Sequence, residues 1–348
     1  DVCFLTGWIR NSSVRLNLRR LEVYSTGAGS REVGDYGAVK YSLGFAPAKD
    51  GEHQFKREEI LRNKNLGPAD SGLLAAWLAK EDTRKQLKSI DISENRFLFD
   101  FETTKEERKQ LLHMQPFESW ADFCESLEAS AVTEIRVGET RLSPTPARLL
   151  FRSSTNLHVL DVQGNPITGE DLVDPATSVA VHTDHLCAMT ALRELVQASE
   201  MMYVLDLSRC ELNAAALHEL ASPADAWANS SIQTLLLDGN PLTTGDFGTA
   251  TALTSLHDDR PVATLQAQTD HEDCSGTAAL FGALSHPGTR VTELDLSYCG
   301  LGARSADAMA EALHGAGIQQ NLRTLRLTGN HLGGIVIDEL SDGTLWWV

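Results

Sequence analysis

No run of about 18 apolar residues occurs in this chain of 348, so no bilayer-spanning helix is encoded. Basic residues are in deficit: 30 Lys and Arg stand against 48 Asp and Glu, giving a formal net charge of −18. A surface that negative repels phosphate backbones, which argues against nucleic acid and anionic membrane as main ligands. It favours a protein partner with a basic patch. Cysteine is sparse and unpaired in pattern. Cys3, Cys124, Cys187, Cys210, Cys274 and Cys299 form no CxxC motif and no tight framework, which fits reduced thiols in the cytoplasm. There is no P-loop, no GxGxxG after a strand and no HExxH, so the common nucleotide and zinc-protease chemistries find no support. No secretory signal pattern is present, and Asp1 stands without an initiator methionine, which leaves room for a targeting signal upstream. Hydrophobic content of 42% and charged content of 22% describe a folding chain rather than a disordered one.

What is present is a period. The template L-x-x-L-x-L-x-x-N-x-L appears as LKSIDISENRF from Leu87, VTEIRVGETRL from Val132, LHVLDVQGNPI from Leu157 and MYVLDLSRCEL from Met202. It returns as IQTLLLDGNPL from Ile232, VTELDLSYCGL from Val291 and LRTLRLTGNHL from Leu322. VATLQAQTDHE from Val262 reads as a degraded eighth copy between two of these. The spacings of 45, 25, 45, 30, 30, 29 and 31 residues imply insertions near 98–131 and 168–201.

The pattern dictates a fold. Apolar positions of LxxLxL point inward and the residues between them face out of a short strand. The Asn-position side chain bonds turn backbone that would otherwise be buried and unpaired. Asn95, Asn165, Asn240 and Asn330 fill that position, with Cys210 and Cys299 as substitutes; at Thr140 and Asp270 looser turns are expected. Between strands the chain reads as helix. Ala306, Met309, Ala310 and Leu313 share one face, and Leu217 and Leu220 another. The expected fold is α/β: a leucine-rich-repeat solenoid, a curved horseshoe with parallel strands on the concave face and helices on the convex face. Periods near 30 with alternating Asn and Cys turns resemble the ribonuclease-inhibitor-like class of leucine-rich repeats.

The repeat domain is expected over 55–348, with a cap at 55–86 and eight repeats over 87–348. In the cap, Ile60 and Leu61 suggest a strand, Asn65 a turn, and Leu73, Leu74, Trp77 and Leu78 a packed helix. Residues 1–54 do not fit the period. Val14, Leu16 and Leu18 alternate and GAVKYSLGF reads as extended, giving a short β-rich segment, the tail of a domain truncated upstream. That order of elements is similar to the CARMIL actin regulators, which place a membrane-binding β domain ahead of their repeats. Trp346 and Trp347 at the end of the chain suggest that more sequence follows.

The candidate site is the concave face: Asp91, Glu134, Arg136, Asp161, Tyr203, Asp206, Arg209, Asp238, Glu293, Asp295, Tyr298 and Arg326. Asp at four of the central strand positions makes an acidic stripe suited to a basic partner, although Asp is also simply common in such strands. Tyr203, Arg209 and Tyr298 are the anchor candidates, because aromatic and Arg side chains dominate interface energetics.

Chemistry finds less support. His182, Asp184, His185 and Cys187 have partial zinc-ligand spacing but no second ligand pair, so a solvated helix or loop is the favoured reading. His271, Glu272 and Cys274 lack an orienting partner for a nucleophile. Met201 and Met202 read as core filling at a strand start. No catalytic residue, metal or cofactor is expected. The leading expectation is a non-enzymatic scaffold that holds a protein; regulation of a small GTPase, as Ran GTPase-activating proteins do, and a brace in a cytoskeletal or ciliary assembly are the alternatives.

Overall fold

The computed structural model describes residues 2–10, 18, 20–27, 38–45, 57–95, 97, 117–168, 186–243, 272–332, 338–339 and 345–346. It divides into two compact units, Asp1–Ala191 and Leu192–Val348. The first holds helix α1 (Val2–Arg10), the antiparallel hairpin β1 (Arg20–Tyr24) and β2 (Lys40–Gly44), and then four parallel strands. These are β3 (Glu58–Ile60), β4 (Ser89–Asp91), β5 (Glu134–Arg136) and β6 (Val159–Asp161), paired in sequence order. Helices α2 (Pro68–Leu78), α3 (Glu81–Gln86), α4 (Glu118–Glu128) and α5 (Pro144–Arg152) connect them. Helix α6 (Cys187–Ala198) contains the boundary between the units.

The second unit repeats the arrangement with β7 (Val204–Asp206), β8 (Thr234–Leu236), β9 (Glu293–Asp295) and β10 (Thr324–Arg326), again parallel and sequential. Its connections are α7 (Ala214–Ala221), α8 (Ser275–Leu284), α9 (Ala303–Ala312) and α10 (Ala316–Asn321). A small antiparallel pair, β11 (Asp338–Glu339) and β12 (Leu345–Trp346), follows. Parallel strands joined by crossover helices make this an α/β leucine-rich-repeat solenoid.

The template positions do what their spacing requires. Ile90 and Ile92, Ile135 and Val137, Leu160 and Val162, Leu205 and Leu207, Leu235 and Leu237, and Leu294 and Leu296 are all fully buried. Within each unit the apolar residue at the inward position of a strand therefore enters the buried layer, and its neighbours face out. Several finer expectations are corrected. Leu217 and Leu220 are buried, but on α9 the buried face is Ser305 and Met309, and Leu313 is 45% exposed. Met202 fills the core, whereas Met201 is exposed.

The repeat inventory also changes. Strand β8 pairs directly with β9, Thr234 with Glu293, so no copy near Val262 stands between them. That segment lies outside the described residues apart from Glu272. The expected cap contributes a strand of its own: β3 pairs in register with β4, with Glu59 beside Ile90, and its turn carries Lys64 where the template has Asn. Template starts then fall at 56, 87, 132, 157, 202, 232, 291 and 322, and the spacings alternate: 31, 45, 25, 45, 30, 59 and 31 residues. The repeats come in pairs, with short connections inside a pair and long ones after it.

The segment before residue 57 is not separate from the first repeat. Asp70 is fully buried; it caps α2 through the Gly67 N–H at 2.8 Å and also accepts from the Thr26 N–H, the Thr26 hydroxyl and the Tyr41 hydroxyl at 2.7 Å. Burial and the Asp70 charge push the Tyr41 phenol up. Trp77 donates its indole N–H to Gly44 O at 2.6 Å, and α1 packs on α2. Of the strands expected in this segment, the one over GAVKYSLGF is present at Lys40–Gly44; the other begins only at Arg20 and runs to Tyr24, with Leu18 outside it and Val14 and Leu16 outside the described residues, while residues 2–10 are helical.

Candidate functional site

Two surfaces on each repeat carry outward side chains: the strand face and the turn that follows it. On the strand faces of the first unit, Asp91, Arg136 and Asp161 sit side by side in register, with Ser89, Glu134 and Val159 one pleat earlier. In the second unit the corresponding rows are Asp206, Leu236, Asp295 and Arg326, and Val204, Thr234, Glu293 and Thr324. Adjacent positions in such a row are about 4.8 Å apart. Of the expected site residues, Asp91, Glu134, Arg136 and Asp161 are strand neighbours in the first unit, and Asp206, Glu293, Asp295 and Arg326 lie on the strands of the second.

The aspartates of the stripe share a local role that the sequence did not reveal. Asp91 accepts from the Ser93 N–H at 3.0 Å, Asp161 from Gln163 at 3.1 Å, Asp206 from Ser208 at 3.0 Å and Asp295 from Ser297 at 2.9 Å. One oxygen of each carboxylate is therefore spent on the backbone two residues on, which shapes the strand exit. Asp91 is only 9% exposed. Burial holds the Asp206 carboxyl above its usual range, an effect opposed by its bonds to Ser208 and reinforced by the nearby charge of Asp238. The basic members of the row are also engaged. Arg326 pairs with Glu293 and lies 3.6 Å from Asp295, and Arg136 lies 3.8 Å from Glu134. Tyr203 and Tyr298 remain 40% and 54% exposed.

The turns fall into two kinds. In the first, an asparagine reaches back to the preceding repeat. Asn240 Oδ1 accepts from the N–H groups of Cys210 and Leu212 at 2.8 and 3.0 Å, and its Nδ2 donates to Leu207 O and Leu237 O. Asn165 does the same for Thr140 and Leu142, Asn330 for Cys299 and Leu301, and Asn95 for Lys64 and Leu66. The second kind, the receiving turn, has Lys64, Thr140, Cys210 or Cys299 at its centre. Thr140 is fully buried and donates to Val137 O at 2.7 Å, so its turn is closed rather than loosened. Cys299 sends its thiol to Leu237 O at 3.2 Å, and burial pushes that thiol up, away from metal or nucleophile chemistry.

In the Lys64 turn Asn63 has a φ of 52°, and in the other three receiving turns the left-handed region is taken by Glu139, Arg209 and Tyr298, at φ of 56°, 54° and 55°. Each of these three is seated over a glycine of the next repeat. A Cβ on Gly239 would come within 2.8 Å of Arg209 Cγ, and one on Gly329 within 2.3 Å of the Tyr298 ring. Arg209, Gly239, Tyr298 and Gly329 follow one another along the turns of the second unit, joined by Arg209 N–H to Asp238 O, Gly239 N–H to Ser297 O and Tyr298 N–H to Thr328 O.

The other chemical candidates resolve differently. Glu272 is 4% exposed and caps α9, accepting from Gly302, Ser305 and Arg304 N–H groups at 2.8, 3.1 and 3.0 Å. Cys274 stands at the N-cap of α8, and Cys187 is buried at the start of α6. His182, Asp184, His185 and His271 lie outside the described residues. Among the described residues no group of His, Cys, Asp and Glu is arranged to hold a metal ion, and no helix is long and apolar enough to cross a membrane.

Comparison with known families agrees with the strand and turn geometry. A family described as Leucine Rich repeat matches residues 153–174 and 289–310, and a second, Leucine Rich Repeat, matches 321–342. The chain is built on leucine-rich repeats. The first two matches span the β6 and β9 strands with their turns, and the third covers β10 and its turn. No curated protein matches the chain. Leucine-rich repeats of this kind expose a row of strand residues and a row of turn residues, surfaces suited to protein interaction.

Proposed function

We propose that this leucine-rich-repeat chain is a non-enzymatic binding module that holds a protein partner on its outward strand and turn residues. The observation that carries the reading is the second unit's surface. There Tyr203 and Tyr298 stay exposed at the entry and exit of the strands, and Asp206, Asp238 and Asp295 lie among the residues between them. Aromatic side chains seated on a rigid scaffold are favourable interface anchors, since little further freedom is lost on binding. The carboxylates favour a partner with a basic patch and would steer its approach. In this reading Asp238, Tyr203 and Tyr298 contribute most, because Asp206 and Asp295 also serve their own strand exits.

The test is affinity capture from native extract with the parent chain and with a Tyr203→Ala, Tyr298→Ala, Asp238→Lys variant, its fold checked by circular dichroism. The variant is expected to lose the proteins that the parent retains. Equal recovery of the same proteins by both chains would place the binding surface elsewhere.

A further inference from the structure

We propose that the pair of repeats, and not the single repeat, is the unit in which this array opens locally. The asparagine bonds run in one direction along the array. Each asparagine amide accepts two N–H groups of the preceding repeat and donates to one of its carbonyls, as Asn240 does with Cys210, Leu212 and Leu207. Its other bond is to its own repeat, and none runs forward. Two of the asparagine turns instead close on themselves. Ile167 N–H bonds Asn165 O at 2.8 Å and Leu242 N–H bonds Asn240 O at 2.9 Å. Between them stand Pro166 and Pro241, which have no N–H to offer. Such a turn presents no donor that a following asparagine would have to satisfy, and the next repeat accordingly has Cys210 or Cys299 there.

The side chains above the turns follow the same grouping, since Arg209 and Tyr298 are each seated on the glycine of their own pair, Gly239 and Gly329. The helices agree: α2 packs on α4 and α7 on α8 more extensively than α4 does on α5 or α8 on α9. Across the seam from β8 to β9 the strand ladder continues, helped by Cys299 Sγ to Leu237 O, Thr243 Oγ1 to Gly300 O and the Glu272 cap on α9. Across the seam from β4 to β5, the ladder is joined by Ser93 Oγ, which accepts from Gly138 N–H, and by Trp120 donating to Pro146 O. Buried backbone that loses its partner opens readily, and opening spreads as far as the partners it shares. The strand ladder runs both within pairs and across these seams, but the asparagine bonds, the side chains seated on glycine and the more extensive helix packing are shared within a pair.

Hydrogen exchange followed by mass spectrometry on the full chain tests this with Asn240→Ala and Asn330→Ala. Asn240→Ala is expected to speed exchange over 205–212 and 235–242 by about 10- to 100-fold, while 294–301 and 325–327 keep the parent rates. Asn330→Ala should give the mirror image. The milder Asn240→Asp keeps the acceptor for Cys210 and Leu212 and should give a smaller change over the same segments. Faster exchange confined to 235–242 would make the single repeat the unit. Equal acceleration over 294–301 in Asn240→Ala, or loss of all protection, would make the unit larger than a pair. Either result overturns the proposal.

Discussion

The asparagine turns and the receiving turns occupy the same place in successive repeats, yet they solve opposite problems. An asparagine turn has a side chain with two donors and an acceptor, so it can satisfy backbone on both sides of the strand ladder. A receiving turn has backbone N–H groups to give, around Lys64, Thr140, Cys210 or Cys299 at its centre. In three of these turns a bulky residue, Glu139, Arg209 or Tyr298, sits in the left-handed region over a glycine of the neighbouring turn; in the Lys64 turn Asn63 takes that region, beside a turn that has Glu94 in place of the glycine. The difference shows that a solenoid need not be a row of equivalent units: polar satisfaction can alternate, one repeat giving the side chain and the next giving the backbone.

Substitutions that exchange the two roles sharpen this comparison. The largest effects come from removing what each turn cannot replace. Asn165→Ala leaves the N–H groups of Thr140 and Leu142 and the carbonyl of Val137 without their partner, and is expected to cost about 3–5 kcal/mol in chemical denaturation. Glu211→Pro places proline where φ is +60° in a receiving turn and should cost at least about 3 kcal/mol, although proline is native at the matching position of an asparagine turn. Gly239→Ala meets both a φ of +70° and the Arg209 side chain, for about 1–3 kcal/mol. Pro241→Ala should cost only about 0.4–1 kcal/mol, since the turn keeps its own closure and loses mainly a restriction on the unfolded chain. If Glu211→Pro and Pro241→Ala had equal effects in thermal melts, the two turn classes would not be distinct.

The smallest effect is a pH dependence at Asp206. Its carboxyl is held above the ordinary value of 3.8 by burial, so the folded chain keeps that proton more tightly than the unfolded one. The associated stability is present in acid below the ordinary value and is lost as pH rises through the elevated one. Asp206→Asn keeps an acceptor for Ser208 and removes the charge. It should flatten stability against pH in this window and leave the chain slightly more stable at neutral pH, as measured by urea denaturation across a pH series.

Much of the fold was legible because apolar spacing is a direct record of which side chains go inward. Ile135 or Leu205 could have no other place in a three-residue strand. Lys64 and Val262 show where such reading stops. Lys64 can stand in the asparagine position because that turn needs only backbone N–H groups, which no side-chain template records. The copy at Val262 matched the apolar pattern, but strand pairing is a property of neighbours, and β8 takes β9 as its neighbour. Two signals could have separated the turn classes: Asn-Pro at 165–166 and 240–241 against Thr-Arg or Cys-Glu at 140–141 and 210–211, and the alternation of long and short spacings. For the candidate site, the outward positions were legible but the use of one oxygen on each aspartate was not. That bond is made to the residue's own strand exit, and the sequence looks the same whether or not it forms.

The proline after Asn240 sets a rule for lengthening this protein. Grafting in one further asparagine repeat behind it would bring the new amide up against a turn with no N–H at Pro241 and with the Leu242 N–H already committed to Asn240 O. The grafted side chain would be sealed into the interior with donors missing. An added receiving repeat and asparagine repeat, copied together, meets no such conflict, so this array grows naturally by twos.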